Sequence, residues 1–129
     1  LSRSSAASDV YKRQVIDAGS APMSSGIKGE MTLDVTGEIQ SWTIVGDQDG
    51  QIQLDIKKVD YANFPNFASI CGTERPQLGD ITNNSVARKN TNTTISSWNK
   101  ALNAGDILQF EVVYTINIQR CMVSMKLAL

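Results

Sequence analysis

The chain contains no histidine, which removes the commonest general base and the commonest metal ligand at once. Its two cysteines, Cys71 and Cys121, lack the close spacing of a zinc site, and no glycine-rich loop opens a helix to cradle a phosphate. The best-looking acidic pair is Asp47 and Asp49, within Gly46-Asp47-Gln48-Asp49-Gly50. An oxygen-rich turn suits a hard cation such as Ca²⁺. The same residues suit a tight hairpin turn, because Asp-Gly tolerates the positive φ angles that such turns require. The longer acidic spacing of a full calcium loop is missing, so the turn is the preferred reading, and neither metal nor cofactor is expected. An enzyme would need converged acids, with Glu74, Asp80 and Asp106 as the candidates. The expectation is that the protein is not an enzyme.

Binding is the other chemistry open to these residues. Tyr61, Phe64, Phe67, Trp42 and Trp98 could form an aromatic platform for a sugar ring, or could fill the core and cap its ends. Tyr61 and Trp98 are the members expected to be exposed. With Asn63 in the same loop as Tyr61, the candidate ligand-binding residues are Tyr61, Asn63 and Trp98. The triplets Asn83-Asn84-Ser85 and Asn92-Thr93-Thr94 have the form of glycan acceptors but also arise by chance in Thr/Asn-rich loops. Lys57-Lys58, flanked by Asp55 and Asp60, reads as a solvated strand edge. The sequence does not settle whether Cys71 and Cys121 pair, since a bridge depends on Cα geometry.

The elements that must position these residues read as strands. Ile52, Leu54 and Ile56 alternate with Gln51, Gln53, Asp55 and Lys57, the two-residue period of a strand with one dry face. Together with Ile39 to Val45 before the Asp-Gly turn, this predicts a β-hairpin, followed by a proline-bearing aromatic loop with one short helical turn within residues 61–72. Pro65 and Pro76 forbid a central strand there. A strand is predicted over Ile27 to Val35, and a short exposed one over Ser85 to Asn90. A further strand or turn is expected to end at Trp98. Ile107 to Thr115 and Arg120 to Leu127 alternate strongly and predict a closing hairpin. Six to eight short strands with no helical period give an all-β fold, an antiparallel two-sheet β-sandwich of jelly-roll character.

At 129 residues, 41% apolar and 19% charged, the chain is one domain's worth of globular protein. A net charge of −1 gives no electrostatic footprint for nucleic acid. No apolar run reaches the roughly 20 residues of a membrane helix, so no membrane insertion is expected, and no secretion signal is visible. The chain does not begin with Met, and a fragment or trimmed domain is expected. Residues 1–14, LSRSSAASDVYKRQ, are Ser-rich and basic, with no alternation. They resemble the translated read-through of a sequencing adapter, as found at the ends of metagenomic reading frames. They are expected to be a non-native or disordered extension. Residues 15–26 are a linker or lead-in, and residues 27–129 are the sandwich domain.

With Gly26-Ile27-Lys28-Gly29 entering its first strand, the chain resembles a β-sandwich domain of tailed-phage and prophage virion proteins, often tail-fibre-like. The likeness covers residues 19–129. It rests on Ile39 through Asp47, Ile52-Gln53-Leu54-Asp55-Ile56, Asp60-Tyr61-Ala62-Asn63-Phe64-Pro65 and Trp98. Ala104-Gly105-Asp106-Ile107-Leu108-Gln109-Phe110 and the terminal Lys126-Leu127 complete it. Glu30, Glu74-Arg75 and the two cysteines depart from the pattern. The resemblance implies a structural or attachment module of a phage particle, located in the virion. Its implied partners are other virion proteins or itself, as a homotrimer, and a host-surface glycan. It implies no catalytic residues. The alternative is a carbohydrate-binding module of a larger protein.

Overall fold

The structure is a computed structural model and describes residues 9–129. Nine strands form among the described residues: β1 (Asp9–Asp17), β2 (Gly26–Thr32), β3 (Gly37–Val59), β4 (Ala68–Ser69), β5 (Gln77–Leu78), β6 (Ala87–Asn92), β7 (Ala101–Leu102), β8 (Ile107–Ile116) and β9 (Arg120–Ala128). Every pairing is antiparallel. The main path runs β1-β9-β3-β8-β2, with β4, β5, β6 and β7 also paired to β3. The sheet is curled and open, because its end strands β1 and β2 do not pair with each other.

The predicted alternation is where the core lies. Ile52, Leu54 and Ile56 are fully buried, as are Leu108, Phe110 and Val112 on β8 and Cys121, Val123, Met125 and Leu127 on β9. Burying such a side chain contributes roughly 1.5–3 kcal/mol, which is what holds the sheet in its curl. The other face of the second part of β3 is not uniformly wet. Gln51 and Asp55 are buried too, and Asp55 accepts a hydrogen bond from Ser69 Oγ at 2.6 Å.

Three expectations need correction. The first is the central hairpin. Ile39–Val45 and Gln51–Val59 do not pair; they are successive parts of the single 23-residue strand β3. The first part pairs with β9, β6 and β7, and the second with β8, β4 and β5. A tight hairpin turn needs positive φ, and neither Gly46 nor Gly50 has it. Gly50 is needed for close approach instead: a Cβ there would sit 2.4 Å from the Ile116 carbonyl oxygen. The segment is a corner with a bulge in its pairing to β6 between Val45 and Gly50.

The second correction concerns the closing hairpin. β8 and β9 pair with different parts of β3, not with each other: Val59↔Ile107 to Gln51↔Ile116 on one side of the corner, Gly46↔Cys121 to Glu38↔Ala128 on the other. The β8–β9 link therefore arches across the curl beside the corner of β3. Asp47 ties the two together, accepting the backbone N–H of Gln119 and of Arg120, each at 3.1 Å. Gln48 Nε2 donates to the Asn117 carbonyl nearby.

The third concerns the N-terminal stretch. Residues 9–14, expected to lie outside the domain, form most of edge strand β1, in register with β9 from Asp9↔Ala128 to Asp17↔Arg120. Residues 1–8 of that stretch lie outside the described residues. Smaller differences follow the same geometry. The first predicted strand stops at Thr32, β6 runs over Ala87–Asn92, and the count is nine, one of them long. The short helical turn is a 3-10 turn over Tyr61–Asn63, started by Asp60, whose side chain accepts from Asn63 N at 2.9 Å.

Candidate functional site: a cleft beside Trp42

The corner of β3 brings two of its outer neighbours, β5 and β6, towards each other. Trp42 lies opposite Asn92 on β6, and Gln53 lies opposite Gln77 on β5. Asn90 Nδ2 donates to the Gln77 carbonyl at 2.9 Å and links the two neighbours directly. Between them is a cleft of about 260 Å³, lined in part by Trp42. Gln53, Gln77 and the Thr73-Glu74-Arg75 segment line one side; Asn90, Asn92 and Thr94 line the other.

One wall is a loop fixed from behind. Glu74 accepts from Ser97 N at 2.6 Å and Ser97 Oγ at 2.7 Å. Those bonds, the backbone one foremost, hold its carboxyl below the usual range. Thr73 N donates to Ser97 Oγ at 3.2 Å. Gly72 has φ +57°, and a Cβ there would meet the Ser97 carbonyl oxygen at 2.6 Å, so only glycine fits. Arg75 is also engaged, with its guanidinium 3.7 Å from Asp55 and 3.5 Å from Gln53 Oε1. Glu74 is thus committed to the protein itself, whereas Arg75 makes only these longer contacts and its side chain stays 40% exposed.

The amides and the indole remain. Gln77 Oε1 accepts from Gln53 Nε2 at 3.3 Å, and Asn92 Oδ1 accepts from Thr94 N at 2.6 Å. The opposite ends of these groups, Gln77 Nε2 and Asn92 Nδ2, have no protein partner among the described residues, and neither has Asn90 Oδ1. Trp42 is 3% exposed, and its buried indole N–H donates to nothing. Such an unmatched buried donor costs on the order of 1–3 kcal/mol. The cleft thus carries one carboxylate, one guanidinium and several amides, with the buried Trp42 among its lining residues.

The residues singled out in the sequence are placed elsewhere. Trp98 is buried, and its Nε1 donates to the Glu74 carbonyl at 2.7 Å, so it supports the cleft wall from inside and offers no open face. Tyr61 is 80% exposed at the tip of the 3-10 turn. Asn63 lines a second polar depression, with Lys58, Asp60, Asn66, Asn103 and Asp106. The three do not form one platform. Phe64 and Phe67 stack edge to face, with centroids 5.6 Å apart.

Among the described residues, no group of three or more His, Cys, Asp or Glu is placed to hold a metal. Asp47 serves the β8–β9 arch, and Asp49 is exposed. The proposed acids do not converge: Glu74 lines the Trp42 cleft, Asp106 the second depression, and Asp80 bonds Thr82 at 2.6 and 2.9 Å. Both cysteines are free and buried, and desolvation pushes each thiol up to about 12. Sequence reasoning missed Gln53, Gln77, Asn90 and Asn92. Its one usable signal was the density of Asn and Thr over residues 80–98.

No family model matches the chain, and no curated protein matches it. Among the solved structures that match, two show a weak likeness to the chain. One is the SPBc2 prophage-derived protein YomS, 12% identical, with a TM-score of 0.39, covering 91% of this chain and 95% of that one. The other is a family 89 glycoside hydrolase from Clostridium perfringens, in complex with PUGNAc. It is 16% identical, with a TM-score of 0.47, over 88% of this chain and 14% of that one. Neither likeness assigns an activity. No helix among the described residues is long and apolar enough to cross a membrane.

Proposed function

We propose that the chain is a non-enzymatic structural or attachment module of a bacteriophage particle, a tail fibre or another virion protein, that meets a glycan on the host surface. The sheet serves as a sandwich of jelly-roll character. One layer is β1, β9, the first part of β3, β6 and β7; the other is β2, β8, the second part of β3, β4 and β5. Its partners are other virion proteins or further copies of itself, as a homotrimer. The sequence resemblance over residues 19–129 supports the virion setting. The observation that carries the reading is how the acids are used. Asp47, Glu74, Asp80 and Asp106 each accept from a backbone N–H, and they do so at separate places. That is the pattern of a stiff scaffold whose polar groups order loops.

The amide-lined cleft beside Trp42 favours a second reading, a carbohydrate-binding module of a larger protein. The reading frames beside this one on its source contig separate the two. Tail or capsid genes next door are the expected result. A catalytic glycoside hydrolase domain within the same reading frame would replace the first reading with the second.

A further inference from the structure

We infer that β1 is an exchangeable arm: Asp9–Asp17 of one copy of this chain adds to β9 of another and ties the copies together. This deepens the self-association in the reading above and rests on it. Three features of the arm support it.

The first is how β1 is held. It lies at one end of the sheet path and pairs with β9 alone. Its nine residues meet Arg120–Ala128 without a register shift, whereas the ladders of β2 with β8 and of β3 with β6, β8 and β9 each contain one. Ile16 is the only fully buried residue of the arm. Backbone hydrogen bonds therefore carry the attachment, as in recognition by strand addition. The same arm from a second copy makes the same bonds and fills the same seat for Ile16.

The second is the hook behind the arm. Ala18 N donates to the Gln119 carbonyl at 2.9 Å, and Met23 N to the neighbouring Ile118 carbonyl at 3.2 Å. The chain thus leaves the β8–β9 arch and returns to it through Gly19-Ser20-Ala21-Pro22, all exposed. Met23 is buried and fixes the far side of the hook to its own copy. Straightening residues 19–22 swings β1 outward and withdraws only Ile16 from the core. Exchange replaces contacts within a chain by the same contacts between chains, a low-cost route to an assembly.

The third is Gly19. Its φ of +72° shapes the hook, with its N–H bonded to Asp17 Oδ1 at 2.7 Å. A Cβ built there meets no atom within 4 Å. A side chain at this position strains the hook without a clash, and an extended hinge relieves that strain.

The test uses disulfides on the full chain. Val15 faces Met122 across the β1–β9 ladder, and both line the same surface depression. A Val15→Cys chain and a size-tagged Met122→Cys chain are refolded together at increasing concentration and mildly oxidised. A disulfide between the two chains should form and rise with concentration. Adding Gly19→Val to both should raise it about fivefold or more, the cost of a left-handed backbone at a residue with a side chain. Val15→Cys mixed with Lys89→Cys, which lies beyond β3 on β6, should stay at background. A dilute chain carrying both Val15→Cys and Met122→Cys should bridge within itself. No disulfide between mixed chains, an equal yield with Lys89→Cys, no response to Gly19→Val, or no bridge in the dilute double variant would overturn the assignment. A trimer by light scattering without the interchain disulfide removes the arm exchange alone. A monomer at every concentration removes the self-association with it, and the virion setting stands or falls on the neighbouring genes.

Discussion

Glu74 joins two loops through Ser97, and this sets how the molecule meets acid. Its carboxyl lies below the ordinary glutamate value of 4.5, chiefly through the Ser97 backbone N–H. A depressed folded value means that the contribution is complete above about pH 4.5 and is lost as pH falls through the folded value. Asp47, held down by the Arg120 N–H, and Asp34 and Asp80, held down by Lys12 and Thr82, follow from 3.8 downward. The melting temperature should therefore be flat above pH 5 and decline below pH 4.5. In Glu74→Gln the first part of that decline should shrink; an unchanged profile would deny the carboxylate its role. The cysteines behave oppositely. With both thiols buried and raised to about 12, thiolate is scarce at pH 8. Iodoacetamide should leave Cys71 and Cys121 unmodified in the folded protein and label both in denaturant, as read by intact mass.

At the scale of elements, periodicity and pairing were unequally legible. The alternation of Ile52, Leu54 and Ile56, and of Leu108, Phe110 and Val112, reports which face is dry, and it did so correctly. Alternation carries nothing about which strand lies alongside. Gly46-Asp47-Gln48-Asp49-Gly50 has the composition of a turn, and here its glycines serve a corner that packs against Ile116 and Ile118. The edge strand β1 was missed because residues 9–14 place no fully buried side chain; Val10 only partly packs on the core. The ion pairs Lys12–Asp34 and Lys126–Asp9 add little at the surface. A chain of residues 15–129 keeps the buried Ile16 and should still fold cooperatively. It should lose about 1–2 kcal/mol, roughly 5–10 °C in melting temperature. Failure to fold would make those residues integral to the domain.

Over the whole molecule, the sequence revealed a β core and a polar surface but not the cleft. Trp42, Gln53, Gln77 and Asn92 meet only because β3 turns its corner and carries β5 and β6 together, a tertiary fact with no local signature. Aromatic content alone pointed to Trp98, which packs inside and braces the wall through Glu74. The account depends on β3 serving both parts of the curl. NMR cross-strand contacts between α protons test this directly, since facing residues in antiparallel strands lie about 4.5–5.5 Å apart at Cα. Contacts should link Ile44 with Val123 and Leu54 with Val112. Contacts joining residues 39–45 to 51–59, or 107–115 to 120–127, would restore two hairpins and contradict the fold, the corner and the cleft built upon it.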